Sequence, residues 1–305
     1  MEPDEPAKPA QALADELPEH ALADELPEQA LADELPEHAL RAARAYGAAA
    51  DHYGLGALSF WNRFGAATVS RLPLAAGQSV LDVCCGAGAS AIPAARAVGP
   101  DGHVLGIDVA EPLLEQARAK AVAERLTNIE FRRGNAISTG LPAASFDAVV
   151  CVFGVFFAPD MAAFAAEMWR LVRPGGVLAI TTWGPDLFEP ANGIFWDSVR
   201  AVEPALYKSF NPWDEITTTE ALADLCARAG ILDVEVEAVP ARHDLASPAR
   251  FWDVVLGSGY RATVDALGPD QQDVLRQSVL TELSSRRVTT LCTDVVYARA
   301  IRPRV

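Results

Sequence analysis

The chain has 305 residues, half of them hydrophobic, enough for one packed domain or a domain with a lid. Its formal charge of −16 is uneven: residues 1–40 carry −11 and the other 265 only −5. No basic stripe suits nucleic acid or an anionic membrane, and the longest apolar run, 148–159, is too short to span a bilayer.

Residues 12–20, 21–29 and 30–38 repeat one nonapeptide: ALADELPEH, ALADELPEQ, ALADELPEH. A proline every nine residues interrupts any long helix, and the acids leave too little apolar surface to offset the cost of ordering. Residues 1–38 read as a disordered or transiently helical acidic tail. A tail that recruits a protein partner is the alternative. From residue 39 to 76 the pattern predicts a helical cap, with helices over 40–50 and 58–72 carrying Tyr46, Tyr53, Phe60, Trp61 and Phe64.

Strands and helices then alternate. Strand 79–83 precedes helix 90–98, strand 103–107 precedes helix 111–125, and strands 129–132 and 146–152 follow. Helix 160–172 runs into Arg173-Pro-Gly-Gly, which predicts a sharp stop before strand 177–182. Such alternation predicts a Rossmann-like, doubly wound, mostly parallel α/β sheet. Beyond Trp183 the alternation lapses. Helices near 191–203, 218–229, 248–256 and 270–285 are interspersed with strands 232–238 and 288–299. The aromatic-rich stretches 184–217 and 240–287 are expected to form lid insertions over a substrate pocket.

Five cysteines (84, 85, 151, 226 and 292) form no C-x-x-C pair, and their odd number argues against a disulfide framework. No secretory signal opens the chain, so a reducing cytoplasm is the expected compartment. Scattered histidines without H-E-x-x-H predict no metal site.

The chemistry concentrates at Val80-Leu-Asp-Val-Cys-Cys-Gly-Ala-Gly88, a buried strand breaking into a small-residue turn ahead of a helix. Such a turn brings backbone N–H groups close to a ligand. Twenty residues beyond Gly88, Asp108 ends the next strand, where a carboxylate can take two ribose hydroxyls. The turn also fits the dinucleotide fingerprint, so an NAD(P)-dependent oxidoreductase is one reading. Asp82 opposes it, since a carboxylate beside the turn would repel a pyrophosphate and welcome an ammonium.

With Gly134-Asn-Ala136, Ser145-Phe-Asp-Ala-Val149 and Leu171-Val-Arg-Pro-Gly-Gly176 in the same order and spacing, the chain resembles the class I S-adenosylmethionine-dependent methyltransferases. Within them it resembles the ubiquinone/menaquinone-biosynthesis C-methyltransferases and their small-molecule relatives. The resemblance covers about residues 75–183 and makes 77–305 the methyltransferase domain, with seven strands and an antiparallel last strand over 288–299.

The resemblance implies S-adenosyl-L-methionine as cofactor. Asp82, Cys84, Gly86 and Gly88 would border its methionine end, and Asp108 would hold the ribose. Val109, Asn135 and Ala136 would meet the adenine, and Val152 and Phe153 would lie near the methyl group. Cys84 departs from the family by replacing the first glycine of the turn. Asn135 replaces a frequent aspartate, and its amide oxygen can still accept from the adenine amine.

Methyl transfer from a sulfonium is an in-line displacement that needs alignment and dryness more than a fixed triad. A base matters only for a poor nucleophile, a phenol or an activated carbon; His52 is the candidate, with His243 behind it, while His20 and His38 fall in the tail. Tyr46, Tyr53, Trp61, Trp183, Trp196, Trp213 and Tyr260 are candidate acceptor contacts, each with plain core packing as the alternative. The expected partner is a small hydrophobic or aromatic acceptor, methylated on carbon or oxygen. No nucleic-acid partner and no membrane insertion are expected. A methyltransferase-like binding module without turnover is the non-enzymatic alternative.

Overall fold

A computed structural model of the chain describes residues 35–304. The nonapeptide repeats lie outside the described residues except for their last four positions. There the expected boundary shifts: Glu37 and His38 already belong to the first helix, α1 (Glu37–Tyr53), which follows Pro36 and is longer than expected at both ends. α2 (Phe60–Val69) follows a single 3-10 turn, and the two helices form the expected cap.

β1 (Ser79–Val83), α3 (Ala91–Val98), β2 (His103–Asp108), α4 (Glu111–Ala123), β3 (Ile129–Arg133), β4 (Phe146–Val152), α5 (Met161–Leu171) and β5 (Val172–Trp183) follow the expected alternation. β4 is β-branched and apolar because both sheet faces are covered, and its central residues are fully buried. Asp160 caps α5 by accepting from the Ala163 amide at 2.9 Å. The expected stop at Arg173-Pro-Gly-Gly is instead the bulged start of β5, where the pairing register with β4 shifts. Arg173 reaches Asp147 at 2.9 Å and the Ser145 carbonyl at 2.7 Å, and Asp147 also accepts from the Ser79 amide at 2.8 Å. The Ser-Phe-Asp and Arg-Pro-Gly-Gly motifs thus lock the sheet at the edge opposite the strand ends that carry the turn.

Beyond β5 come α6 (Ala191–Val202), α7 (Thr219–Arg228), β6 (Val234–Val239), β7 (Arg242–Asp244), α8 (Phe251–Leu256), α9 (Arg261–Asp265), α10 (Pro269–Ser285), β8 (Thr290–Cys292) and β9 (Val295–Ile301). The seven-stranded sheet has the order β3-β2-β1-β4-β5-β9-β6. Only β9 runs antiparallel to its neighbours, inserted between β5 and β6. The expected last strand is therefore two. β8 pairs with β7 in a separate two-stranded sheet, and the chain turns at Thr293-Asp294 before β9. Asp294 forces that break: its carbonyl takes the Gly184 amide and its side chain the Ala241 amide.

The cap is pressed directly onto the glycine turn. A Cβ added at Gly65 of α2 would lie 2.3 Å from the Ala89 carbonyl oxygen, so the helix approaches backbone to backbone. Gly65→Ala is expected to cost about 2 kcal/mol, as overpacking at a rigid contact does, read as a lowered urea midpoint. Gly56→Ala, whose new methyl meets nothing within 4 Å, is the control and should change little. Equal midpoints for the two variants would show that α2 is free to shift.

Candidate functional site

One cavity opens where β1, β2, β3 and β4 end, the edge of a parallel sheet at which ligands bind. It holds about 930 Å³ of space free of protein, part of it continuous with solvent. Its floor is the turn after β1. Cys84, Gly86 and Gly88 all have positive φ, at 57°, 50° and 80°. Glycine takes that conformation freely and cysteine does so at a cost of about 1–2 kcal/mol.

Cys84 keeps the backbone conformation of the glycine it replaces, and the room comes from elsewhere. A Cβ at Gly154, just past β4, would lie 2.5 Å from the Cys84 Cβ. The glycine absent at 84 is compensated by one at 154, a signal in the sequence that the turn motif alone does not reveal. The Cys151 thiol beside Cys84, together with burial, pushes its thiol well above the usual range, so it stays protonated. Cys85 is buried and pushed up by burial, and its sulfur fills the space that Gly106 leaves open. The pair is therefore not an exposed, reactive dithiol.

Two carboxylates hold this turn. Asp108 accepts from the Gly86 amide at 2.8 Å and the Ala110 amide at 2.9 Å, and burial raises its pKa. Each of its oxygens keeps a lone pair facing the cavity for a further donor. Asp82 is only 1 % exposed and stands behind the lining, contrary to the expectation that it borders the ligand. The strand alternation turns its side chain under the turn, where it accepts from the Ser90 hydroxyl at 2.7 Å and so fixes the start of α3. Its other oxygen has no well-aligned partner. Burial raises its pKa to about 7 against the pull of Ser90. Gly88 is likewise behind the lining, packed on Ile92 and Phe131.

The cavity brings together the other eight expected cofactor residues: Cys84, Gly86, Asp108, Val109, Asn135, Ala136, Val152 and Phe153. The Asn135 amide oxygen already accepts from the Ile137 amide at 3.0 Å, which leaves one lone pair for a ligand. Tyr46 and Tyr53 of α1 and Trp61 of α2 form the roof. Tyr53 stacks on Trp61 at 5.4 Å, and Tyr46 meets Phe157 edge-on at 5.4 Å. Burial first, then the Asp108 charge, raises the Tyr46 phenol, so it remains neutral. The indole N–H of Trp61 is buried without a hydrogen-bond partner, as is Nε2 of His38. Both side chains line the cavity, and an unsatisfied buried polar atom costs about 1–3 kcal/mol until something meets it.

His38 is the residue that sequence reading missed. The repeat makes it look like tail, yet α1 starts one residue earlier and turns it inward. His52 is a correction in the opposite sense. On α1 the positions that line the cavity are 38, 39, 42, 46 and 53, and residue 52 is not among them; its Nδ1 faces Asp51 at 2.7 Å. His243 is 7 % exposed and packs edge-on against Phe60 at 5.1 Å, also outside the cavity.

The remaining expected acceptor contacts are separated from the cavity. Trp183 is core: it stacks on Phe153 at 3.8 Å and touches Phe60, Trp61 and Phe64. Trp196, Trp213 and Tyr260 line a different cavity, formed by the insertion after β5 and the loop before α9. Among the described residues no three His, Cys, Asp or Glu side chains are grouped to hold a metal ion, and no helix is long and apolar enough to cross a membrane.

A methyltransferase domain family matches residues 80–176. The chain is 34 % identical over 179 residues to the demethylmenaquinone methyltransferase of Geobacillus kaustophilus, spanning 55 % of this chain and 76 % of that one. For the demethylmenaquinone methyltransferase of Lactococcus lactis the identity is 33 % over 186 residues, 56 % of this chain and 73 % of the relative. Among solved structures, it resembles phosphoethanolamine N-methyltransferase 2 of Haemonchus contortus, solved with phosphomonomethylethanolamine and S-adenosylhomocysteine. The TM-score is 0.54 at 16 % identity, over 88 % of this chain and 61 % of that one, a likeness of fold alone.

Asp82 makes stability depend on pH in a definite direction. Its folded pKa of about 7 exceeds the model-peptide 3.8, so between those values the folded chain holds a proton that the unfolded chain has lost. Stability from this group is complete below the lower value and falls as pH rises toward 7, at about 1.4 kcal/mol per unit. Compared with Asp82→Asn, the unchanged chain should lose unfolding free energy by up to about 4 kcal/mol between pH 4 and 7. Parallel curves for the two proteins in urea titrations would show that Asp82 is ionised in the fold.

Proposed function

This chain belongs to the class I S-adenosylmethionine-dependent methyltransferases, and we propose that its cavity aligns that cofactor with a small aromatic or apolar acceptor. S-adenosylmethionine is the cofactor and methyl transfer the reaction; the oxidoreductase reading falls with family membership. When bound, the cofactor supplies an electrophilic methyl group on sulfur. The acceptor and the residue roles below are our reading.

The observation that carries it is Asp108: a half-buried carboxylate on the cavity lining with acceptor capacity left, at the end of β2 and bonded to the Gly86 amide. Those lone pairs accept the two ribose hydroxyls. Asn135 and Val109 border the adenine. A Cβ at Gly86 would approach the Tyr53 hydroxyl to 3.3 Å, so glycine there lets the roof come down onto the turn. Trp61 stands one helical turn before Gly65, the residue pressed onto Ala89 at the start of α3. Its orphan N–H and the α3 N-terminus together suit the carboxylate of the methionine moiety.

The acceptor would occupy the space under Tyr46, Phe157 and the small side chains Ala39 and Ala42. A flat ring fits between such aromatic walls. The names of the matched relatives support an acceptor of the demethylated naphthoquinone type, reduced to the hydroquinone so that a ring carbon is nucleophilic. The neutral Tyr46 phenol and the protonated Cys84 thiol take no proton near neutral pH. Among the described residues His38 is the one imidazole on the lining and the group placed to receive a proton from the acceptor. The rest of the chain's contribution is alignment and exclusion of water.

Two measurements test this. Asp108→Asn should weaken S-adenosylhomocysteine binding by at least tenfold in calorimetry, as expected when a charge-assisted pair of hydrogen bonds is lost. Trp61→Phe should weaken S-adenosylhomocysteine by about fivefold yet leave methylthioadenosine, which lacks the amino-acid end, unchanged; equal losses for both would reduce Trp61 to a packing residue. An acceptor screen that follows S-adenosylhomocysteine release should favour hydroquinones over amines. A preference for amines would overturn the acceptor class.

A further inference from the structure

The cavity that holds Trp196, Trp213 and Tyr260 lies behind a wall of aromatics and is not part of the first. Trp213 meets Phe156 at 5.6 Å, and Phe156 meets Phe157, whose far side lines the first cavity. This second space encloses about 800 Å³, part of it open to solvent.

Its walls combine two chemistries. Trp196, 94 % buried, meets Tyr260 edge-on at 5.7 Å and Tyr207 at 6.4 Å, so three aromatic side chains stand at steep angles around one space. Trp213 adds a fourth. The Tyr260 hydroxyl is taken up by donation to Asn192 Oδ1 at 2.6 Å. The carboxylates of Asp186, Glu189, Asp197 and Asp214 also line the space, against one cation, Lys208. Glu189 is bound to Asn192 and Gly193, Asp214 to the Asn211 amide and Asp197 to Arg200. With Asp197 paired to Arg200, whose guanidinium also stands 5.0 Å from the Tyr207 ring centre, three carboxylates remain against the single ammonium.

Lys208 shows what such a space attracts. Its ammonium stands 5.9 Å from the Trp196 ring centre, and it forms no ion pair among the described residues. Partial burial lowers its pKa, while the side chain as a whole is exposed. Aromatic faces with nearby carboxylates favour an organic cation over a metal ion, which needs converging ligands that the described residues do not supply. Anionic ligands are opposed by the net charge. The buried indole N–H of Trp196 is directed at the Tyr260 hydroxyl without a well-aligned hydrogen bond.

We propose that this second cavity binds a small alkylammonium compound, protonated or quaternary, and that Lys208 occupies its place until the ligand displaces it. The site is separate from the methyl-transfer cavity, and its occupancy would be felt there through Trp213, Phe156 and Phe157.

The test is calorimetric titration of the full chain with choline and with tetramethylammonium, at constant ionic strength against sodium chloride. S-adenosylhomocysteine keeps the first cavity filled. Saturable binding of both cations is expected. Lys208→Ala should tighten it about fivefold by removing the competitor, and Asp186→Asn should weaken it by a similar factor. Heats equal to those of sodium chloride in both the unchanged chain and Lys208→Ala would overturn the proposal and leave Lys208 as a permanent cover. If Lys208→Ala does not fold, the unchanged chain and Asp186→Asn decide alone. If S-adenosylhomocysteine itself does not bind, the cofactor assignment fails, and the same titration of the ligand-free chain still decides this one.

Discussion

The site is held by two carboxylates, one buried and one half-buried, that fix the turn after β1. Three residues of that turn, Cys84, Gly86 and Gly88, have positive φ, and its amides are taken up by Ile107 of β2, by Asp108 and by the turn's own Cys85 carbonyl. Asp108 ties the turn to β2 through the Gly86 amide, and Asp82 ties it to α3 through the Ser90 hydroxyl. Desolvation raises both carboxyl groups, so the turn is held at an electrostatic cost. A ligand that donates to Asp108 relieves part of that cost, which joins the stability of the turn to occupancy of the cavity.

The neighbours fit the turn by subtraction. Gly65 lets α2 lie against Ala89, Gly154 makes room for Cys84 beside β4, and Gly106 makes room for Cys85 beneath it. Each is a missing side chain on a different element, and all three converge on one loop. The aromatic roof then closes over what is left. Phe153, itself at positive φ, stacks between this cavity and Trp183, and the contacts continue through Phe188 to Tyr260. This continuous aromatic wall explains how aromatics that look alike in the sequence divide into roof, core and a second cavity.

Much of the fold was legible because its causes are local. Short, largely apolar runs bounded by turns mark β1 to β5, and α/β alternation leads to a doubly wound, mostly parallel sheet. The cofactor turn was legible for the same reason, since glycine spacing and a strand-end acid are short-range signals. The errors lie where position depends on distant contacts. The strand expected over 288–299 divides because Asp294 is taken up by Gly184 and Ala241, more than fifty residues away in sequence. His52 and His38 change places because helix phase depends on where α1 begins, and the repeat hides that start.

The sequence by itself determined the doubly wound sheet, the turn after β1, the acid at the end of β2 and the class of cofactor, because each follows from residue type at short spacing. Tertiary structure alone decided that Asp82 stands behind the wall, that Gly154 compensates for Cys84, that His38 lines the cavity, and that Trp196, Trp213 and Tyr260 enclose a separate space. The physical reason is that burial and orientation are properties of packing between elements. No local pattern carries them, since the same tryptophan fits a core, a roof or a cation cage until its neighbours are in place.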